Sequence, residues 1–388
     1  MIDNLRKYID ITLVCWGGEV NPNDAKYLYE RWKDVSIKLI YPCPKRKLPH
    51  YVFYKKAIKK ITALLWHNNF DYKKDEAFNV ESDYEAYYLK EIDNIIRNSK
   101  YDIIQTEFAP AMNLVYFLPK ETYRIFIQHE IIHIKNSQYL SFMPVNNISD
   151  NLKLNKLRVE EISAMNQYDM VIALTETDKL KLEQMGVKSQ LEYSPASIGF
   201  TQELENADSY NFKNEISFLG GYTHTPNKDG IFWFLDNIWP RMLKKYPNLK
   251  FSVIGNWPLT IQKEIQKKYS HIEFLGFVED LKEALNYSIM IVPIRIGGGM
   301  RMKILEASNL GIPFITTSLG VEGLNFKHNK DCIIADSIDD FSDGISKLIE
   351  DTSLRTTIRK NSYYTFTREY SAEVLSEKRL KIYQSIKK

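Results

Sequence analysis

The sequence predicts an α/β protein of two domains, each built around a mostly parallel sheet. Short apolar runs alternate with helical patterns along the whole chain, which is the arrangement of successive βαβ units. A length of 388 residues is enough for two domains with separate cores. Near the middle, residues 194–214 are polar and lack a periodic pattern, so we expect a linker there.

The domain organisation follows from this linker. We expect an N-terminal Rossmann-like domain over residues 1–195, a C-terminal Rossmann-like domain over 196–365, and a helical tail over 366–388 that crosses back to the first domain. The two domains would face each other across a cleft, with ligands at the carboxyl ends of the strands.

Six strands are predicted in each half, from short apolar and β-branched runs. In the first half they are Ile11–Trp16, Ile37–Tyr41, Asp102–Thr106, Arg124–Gln128, Met170–Leu174 and Gln190–Tyr193. In the second half they are Ile216–Leu219, Lys250–Ile254, Ile272–Leu275, Ile289–Pro293, Pro313–Thr317 and Cys332–Ala335.

Helices are expected in the intervals between the strands. The clearest are Ser82–Asn98, Thr175–Met185, Lys228–Lys245, Leu259–Lys268, Leu281–Tyr287, Arg301–Leu310 and Ile338–Glu350, followed by the helical segment Leu354–Lys388. Thr175 is the expected N-cap of its helix, with Asp178 at the third position.

Composition and charge exclude several classes of protein. Hydrophobic residues make up 44% of the chain and charged residues 26%, as in soluble globular proteins. The net charge of +3 is too small to indicate nucleic acid binding. The first residues do not resemble a signal peptide, and every apolar run is shorter than the roughly 20 residues that span a bilayer. Cys15, Cys43 and Cys332 are widely spaced, which favours reduced thiols in a cytoplasm and gives no metal-site spacing.

The most informative stretch is IRIGGGMRMKILEA, residues 294–307. An apolar strand runs into Gly297–Gly299 and then into a helix that opens with Arg301 and Lys303. Glycines allow close approach to a ligand, and the free N–H groups of a helix start bind anions. Glu306, one turn further on, is placed to accept hydrogen bonds from sugar hydroxyls. The pattern predicts a nucleotide-sugar site, and the alternative is a plain turn whose cations face solvent.

A second strand end also carries glycines, Gly220 and Gly221, and leads into a helix. These glycines would allow a ligand to come close. Asn227 is open to two interpretations, ligand binding and capping of the helix, and Pro226 fits a helix start. His224 is more simply a structural residue.

The letters HEIIH from His129 to His133 match the HExxH zinc motif, which requires both histidines on one helix. Here His129 follows directly on a predicted strand, and the sequence offers no evident third ligand. We therefore favour a histidine at the cleft edge that contacts phosphate or acceptor. A structural histidine and a zinc hydrolase are the two alternatives.

Seven cations without an intervening acid lie between Pro44 and Ile61, and apolar residues recur there at helical spacing. The simplest interpretation is an amphipathic helix on the surface of the first domain. The alternative is peripheral contact of residues 44–65 with an anionic membrane or a lipid-linked acceptor.

Several motifs occur in order in the second half: FLGGYTHTPNKDGIFWFLDNIWP, FLGFVEDL and VPIRIGGGMRMKILEASNLGIPFITTSLGVEGL. They resemble the nucleotide-binding domain of retaining glycosyltransferases of family 4 (group 1), which have the GT-B fold. The first half resembles the same family more thinly, through YDIIQTEF, QHE and YDMVIALTETD. Together the similar stretches cover most of the chain.

The resemblance implies transfer of a sugar from a nucleoside diphosphate sugar with retention of configuration, with no metal or other cofactor. By position, Glu306 would hold the ribose hydroxyls, and Val278 would meet the base. His129 would face the donor sugar or acceptor, while Arg301 and Lys303 would balance the leaving diphosphate. The remaining expected substrate-binding residues are Gly220, Gly221, Asn227, Gly297, Gly298, Gly299 and Met300. The last three would offer backbone N–H groups to the diphosphate or donor sugar.

The chain departs from the family pattern in two places. Many members carry a glutamate eight residues before the ribose-binding one, where this chain has Gly298. At the amino terminus, residues 5–16 resemble the end of the first helix and the second strand of relatives, so we expect the first strand and its loop to be missing. The alternative makes Ile11–Cys15 the first strand and Gly17-Gly18 the loop.

The leading hypothesis is a cytoplasmic glycosyltransferase in bacterial surface polysaccharide or glycoconjugate synthesis. Its partners would be a nucleotide sugar and a glycan or lipid-linked acceptor. The first alternative is a non-catalytic GT-B subunit that binds a sugar nucleotide or a partner transferase. The second is another enzyme on the same fold, such as a sugar-nucleotide epimerase.

Overall fold

The computed structural model describes residues 1–16, 22–41, 86–142, 148–199, 201–204 and 208–386. The chain divides into two compact units. The smaller unit takes in residues 2–104 and 119–123, and the larger unit takes in Met1, 105–118 and 124–388. The basic segment 44–65 and the loop residues Gly17 and Gly18 lie outside the described residues, so what was predicted for them stays a prediction.

The smaller unit contains a pair of parallel strands with helices. Strand β1 (Thr12–Trp16) pairs in parallel with β2 (Ser36–Ile40). The described helices of this unit are Ile2–Leu5, Pro22–Arg31 and Ala86–Arg97. Asp3 links the first two, because its carboxylate accepts from Arg31 Nη2 at 2.8 Å and its pKa is lowered by that bond.

A four-stranded sheet follows, with spatial order β3-β4-β5-β6. Its strands are β3 (Ile103–Glu107), β4 (Tyr123–Gln128), β5 (Met170–Ala173) and β6 (Gln190–Tyr193). A 3₁₀ helix spans Ala109–Tyr116, and α-helices span Ile132–Ser141, Ile148–Met165 and Glu176–Met185. As predicted, Thr175 caps the last of these: its hydroxyl accepts from the Asp178 N–H at 3.0 Å.

The C-terminal sheet has six strands in parallel, in the spatial order β12-β11-β10-β7-β8-β9. The strands are β7 (Glu215–Leu219), β8 (Lys250–Ile254), β9 (Ile272–Gly276), β10 (Ile289–Val292), β11 (Phe314–Thr316) and β12 (Ile333–Ile334). Numbered from β7, this is the 3-2-1-4-5-6 order of a dinucleotide-type sheet. The order in which successive strands are added reverses between β7 and β10, because β8 and β9 lie on one side of this pair and β11 and β12 on the other. Ligands of such sheets bind in a crevice at this reversal point.

Both faces of this sheet are buried, as a parallel sheet requires. Alternate residues of β10 show it: Ile289 and Ile291 belong to a core cluster with Phe234 and Trp239, whereas Met290 and Val292 belong to another. The helices of this half of the chain are Thr225–Asn237, Trp239–Lys245, Leu259–Lys268, Leu281–Leu285, Met302–Asn309, Ser318–Val321, Ile338–Glu350, Thr352–Glu369 and Ala372–Gln384.

All twelve predicted strands are confirmed to within about two residues at each end. One helix was wrong. The predicted helix Lys228–Lys245 begins earlier, at Thr225, and is divided at Ile238. Pro240 explains the break, because proline lacks the N–H that would continue the ladder and clashes with the preceding turn.

The last helix, Ala372–Gln384, packs back on the four-stranded sheet β3-β4-β5-β6 of the first half of the chain, as predicted. Arg379 Nη2 donates to the Ser194 carbonyl at 3.0 Å, just after β6. The Tyr383 hydroxyl bonds Gln105 Oε1 at 2.5 Å, in β3. No helix among the described residues is both long and apolar enough to cross a bilayer.

Gly230 provides a test of how tightly a helix packs on the C-terminal sheet. A Cβ at this position would lie 2.4 Å from the Pro293 carbonyl oxygen, so Gly230→Ala must displace backbone. We expect a loss of about 1–3 kcal/mol, measured as a lower melting temperature. Gly199→Ala is the matched control, because nothing among the described residues lies within 4 Å of its Cβ position. Equal melting temperatures for the two variants would contradict the packing described.

Candidate active site

The predicted glycine-bearing strand ends meet at the reversal point of the C-terminal sheet. Strand β7 ends in Gly220-Gly221, and its neighbour β10 leads into the loop that contains Gly297–Gly299. Gly220 and Gly255 approach so closely that a Cβ on Gly255 would lie 2.7 Å from the Gly220 carbonyl carbon. These close main-chain contacts lie at the carboxyl edge of the sheet, where such sheets bind nucleotides.

Arg301 organises the glycine loop. Its side chain is buried, and its guanidinium donates to the carbonyl groups of Gly297, Gly298 and Gly299, with a longer bond to Leu319. The predicted helix start was one residue early, because the helix begins at Met302 and Arg301 is its N-cap. Arg301 was predicted to face a diphosphate. Its Nη1 and Nη2 groups instead donate to the loop carbonyl groups and to Leu319, so these donors are already used within the protein.

Lys303 connects the two strand ends. Its ammonium donates to Asn227 Oδ1 at 2.6 Å, and Asn227 Nδ2 donates to the Gly221 carbonyl at 3.0 Å. Burial, with a smaller effect of the Arg301 charge, lowers the pKa of Lys303 to about 7. An anion placed here would restore the charged form of the lysine.

Asn227 does not cap the helix, so that interpretation was wrong. The helix begins at Thr225 with His224 as the N-cap residue, and Asn227 lies inside the first turn. Pro226 occupies the second helical position, as predicted. Burial lowers the pKa of His224.

Glu306 lies on the helix Met302–Asn309, one turn beyond Lys303, and is partly buried. Burial raises the pKa of its carboxyl group, and no described residue donates a hydrogen bond to it. A half-buried carboxylate without a protein partner is suited to accept hydroxyl hydrogens from a ligand. Val278 and Met300 pack, partly buried, against the core beneath the same edge, whereas Phe277 is 79% exposed.

His129 lies at the end of β4 and is held on two sides. Its Nε2 bonds Glu107 Oε2 at 3.2 Å, and the Phe108 ring stacks on it at 3.9 Å. Burial favours the neutral carboxyl, yet the bond to His129 leaves the pKa of Glu107 below its usual range. Phe108 has φ +68°, a conformation that is costly for a residue with a side chain and that clusters at functional sites.

The segment that follows His129 touches the glycine loop directly. A Cβ on Gly299, which has φ +70°, would lie 2.1 Å from the His129 carbonyl oxygen, so only glycine fits. Glu130 Oε1 accepts the Gly298 N–H at 3.3 Å, and Gln138 Oε1 accepts the Gly297 N–H at 2.8 Å. Sequence reasoning missed Glu130 and Gln138 as loop partners, although Glu130 was visible as the second letter of the HE pair.

These contacts divide the N–H groups of the loop into two kinds. The N–H groups of Gly297 and Gly298 already donate to protein acceptors. The N–H of Gly298, which was predicted to bind the ligand, is therefore already hydrogen-bonded within the protein. The N–H groups of Gly299 and Met300 have no acceptor among the described residues. Two adjacent free donors next to Lys303 form a cradle for an anion.

The HExxH letters do not form a zinc site of the expected geometry. The helix starts at Ile132, so His129 and Glu130 precede it. His133 Nδ1 is bonded to Glu161 Oε2 at 2.8 Å, and Glu161 also accepts the N–H groups of Ile132 and His133. This carboxylate caps the helix start and holds the histidine, which is a structural role. No group of three or more metal-ligating side chains exists within the described ranges.

Residues 213–351 match the protein family described as "Glycosyl transferases group 1". A curated relative, "Uncharacterized 44.6 kDa protein in cps region" of Klebsiella pneumoniae, is 27% identical over 137 residues. That alignment covers 33% of this chain and 35% of the relative, about a third of each.

Several solved structures have a fold similar to that of this chain. Anabaena Alr3699/HepE in complex with UDP and glucose has a TM-score of 0.66 at 12% identity, with 98% of this chain and 100% of that chain covered. Sucrose-phosphate synthase from Thermosynechococcus elongatus has a TM-score of 0.65 at 12% identity, with 97% and 98% covered. TarM, from S. aureus, has a TM-score of 0.61 at 16% identity, with 77% of this chain and 58% of TarM covered. The chain thus has the two-domain, Rossmann-like GT-B fold, and the group 1 match supports a transferase enzyme.

Lys303 makes the stability of the chain depend on pH in a defined way. Its pKa is about 7 in the folded chain, against about 10.4 for an ordinary lysine. Between these values the unfolded chain binds more protons, so the free energy of unfolding contributed by this group rises with pH. We expect Lys303→Met to be more stable than the wild type near pH 7, and this advantage to shrink by about pH 9.5. Melting temperatures of both proteins at the two pH values test this; a constant difference would contradict it.

Proposed function

We propose that this chain is a retaining glycosyltransferase of family 4 that transfers a sugar from a nucleoside diphosphate sugar to a glycan or lipid-linked acceptor. The observation that carries the proposal is the pair of free N–H groups at Gly299 and Met300, beside Lys303, at the reversal point of the group 1 segment. Each feature suits a diphosphate, and their coincidence with the fold favours a nucleotide sugar over a simple anion.

The proposed chemistry uses these groups to stabilise the departing nucleoside diphosphate. The bond between the anomeric carbon and the β-phosphate oxygen breaks while an acceptor hydroxyl oxygen bonds to the same face of that carbon. Negative charge develops on the departing phosphate oxygen, which takes up the hydroxyl proton. Lys303 and the two backbone N–H groups would balance this charge, and the buried Arg301 would add to the local field. We expect the reaction to need no metal, since these fixed cations supply the positive charge.

Glu306 would hold the ribose and His129 would face the donor sugar or acceptor. The carboxylate of Glu306 accepts no hydrogen bond from the described residues, which leaves its oxygens available for hydroxyl donors. His129 is held in a fixed orientation by Glu107 and Phe108. The loop around Val278 would border the base.

A role in surface polysaccharide or glycoconjugate synthesis is supported by the Klebsiella relative, which is named for the cps region. We propose that the chain acts in the cytoplasm, with peripheral contact at the membrane through residues 44–65. A non-catalytic subunit is the alternative, because Gly298 stands where many members of the family have a glutamate.

The first test is release of nucleoside diphosphate from a panel of sugar nucleotides, with lipid-linked and free glycan acceptors. We expect release with at least one donor, and NMR of the product to show the anomeric configuration of the donor. Binding without release, restored by a partner transferase, would favour the subunit instead. An inverted product would contradict the retaining mechanism.

The ribose role of Glu306 has its own test. We expect Glu306→Gln to weaken the binding of UDP or GDP by about tenfold, because a charge-assisted hydrogen bond becomes a neutral one. A 2′,3′-dideoxy analogue should bind the wild type and the variant equally. Glu264→Gln, at an exposed position of the helix Leu259–Lys268, is the charge-matched control. An undiminished preference of the variant for the ribose form would exclude this role.

The pKa of Lys303 predicts proton uptake when the diphosphate binds. Near pH 8 the lysine is mostly neutral in the free chain, and an adjacent anion raises its pKa, so about one proton is taken up. Calorimetry in buffers of different ionisation enthalpy measures this uptake. Lys303→Met should abolish it; uptake that persists in the variant would place the titrating group elsewhere.

A further inference from the structure

Glu130 is a charged side chain at the proposed donor site for which the diphosphate chemistry has no use. It follows His129, and its side chain is 19% exposed. One carboxylate oxygen accepts the Gly298 N–H at 3.3 Å, and the other accepts from Lys135 Nζ at 2.6 Å. The carboxylate is therefore fixed in place at the glycine loop, one residue away from the two free N–H groups.

Position 298 leaves space for this carboxylate. A Cβ on Gly298 would already be in contact with Glu130 Cγ, at 3.7 Å, and a Cβ on Gly297 would lie 3.7 Å from Glu130 Oε1. A longer side chain at either position would compete with Glu130 for the same volume. The glycines thus admit a carboxylate that comes from a different part of the chain.

The bonding capacity of Glu130 is only partly used. An ionised carboxylate offers about four acceptor positions, and protein donors occupy two of them. A carboxylate repels a phosphate at close range, so the remaining positions suit an uncharged, hydroxyl-bearing group. In a nucleotide sugar that group is the sugar attached to the β-phosphate.

We propose that Glu130 is a specificity-determining residue that accepts hydrogen bonds from hydroxyl groups of the transferred sugar. This inference rests on the proposed function. Because the carboxylate is anionic, the site favours a neutral sugar and rejects a uronic acid, whose own carboxylate would lie close to Glu130. Lys135 and Gly298 hold the Glu130 carboxylate in place before the nucleotide sugar binds, which limits the conformational entropy lost on binding.

The test compares ligands with and without the sugar. Calorimetry measures the affinities for UDP, UDP-glucose and UDP-glucuronic acid, and for GDP, GDP-mannose and GDP-mannuronic acid. Of the UDP series and the GDP series, the one whose nucleoside diphosphate binds the wild type more tightly is then measured with the variant Glu130→Gln. We expect the variant to bind the neutral sugar nucleotide about tenfold more weakly, with unchanged affinity for the nucleoside diphosphate. The ratio of the variant's affinities for the neutral and the acidic sugar nucleotide should be smaller than that of the wild type.

Two further variants keep the result interpretable. Glu130→Asp retains the charge, and we expect it to keep the rejection of the acidic sugar. Glu160→Gln, on the helix Ile148–Met165 and paired with Lys156 at 3.3 Å, removes a carboxylate away from the loop and should change nothing. Near-UV circular dichroism checks that the variants are folded.

Three outcomes would overturn the assignment: an equal effect on nucleoside diphosphate and sugar nucleotide, an unchanged preference between neutral and acidic sugars, or tighter binding of both ligands by the variant. The last would mean that Glu130 blocks the loop. If the wild type binds neither nucleoside diphosphate, the proposed function fails and this inference fails with it. If the wild type binds and the variant discriminates as before, only this inference fails.

Discussion

The buried guanidinium of Arg301 is the interaction on which the site depends. Three successive carbonyl groups of Gly297–Gly299 point at one side chain, and this fixes the path of a loop that glycine alone would leave unrestrained. With the carbonyl groups turned inward, the N–H groups of the loop face away from the arginine. The cost of burying the charge is offset by its hydrogen bonds, and the field of the cation stays at the loop.

The second constraint is that the loop is completed by a segment from the other parallel sheet. Residues 128–138 supply two acceptors and one close backbone contact to the loop, and Glu161 fixes the helix that carries one of those acceptors. The N–H groups of Gly297 and Gly298 are therefore used by protein acceptors, and those of Gly299 and Met300 have no acceptor among the described residues. The N–H groups that Glu130 and Gln138 occupy determine which N–H groups of the loop remain for the proposed substrate.

Much of the fold could be predicted because its strands are buried on both faces. A run such as Ile289–Val292 is apolar throughout and short, which distinguishes it from a helix. The broken helix near Pro240 was missed although the signal was present, because the apolar pattern continues across the break. Local chemistry also led to the prediction of a site at the glycine loop, Lys303 and Glu306, and the structure brings the loop and Lys303 to the reversal point of the sheet.

The partners of the loop could not be predicted from the sequence. Gln138 and Gly297 are separated by 159 residues, and Glu130 and Gly298 by 168, so their contact depends on the arrangement of two sheets. The hydrogen bonds from Arg301 to its own loop could not be predicted from the sequence either. The sequence pattern of a cation next to glycines is the same whether its side chain faces a ligand or the carbonyl groups of its own loop.

The approach of Gly299 to the His129 carbonyl is a contact between two main chains, without a side chain in between. The spacing of the two segments at this point is therefore indifferent to which side chains the first segment carries. Exchange of side chains in residues 128–138 therefore alters the groups beside the glycine loop while the spacing of the two main chains is kept. These side chains are therefore the ones to exchange in order to alter the proposed sugar preference without a change in the main-chain spacing.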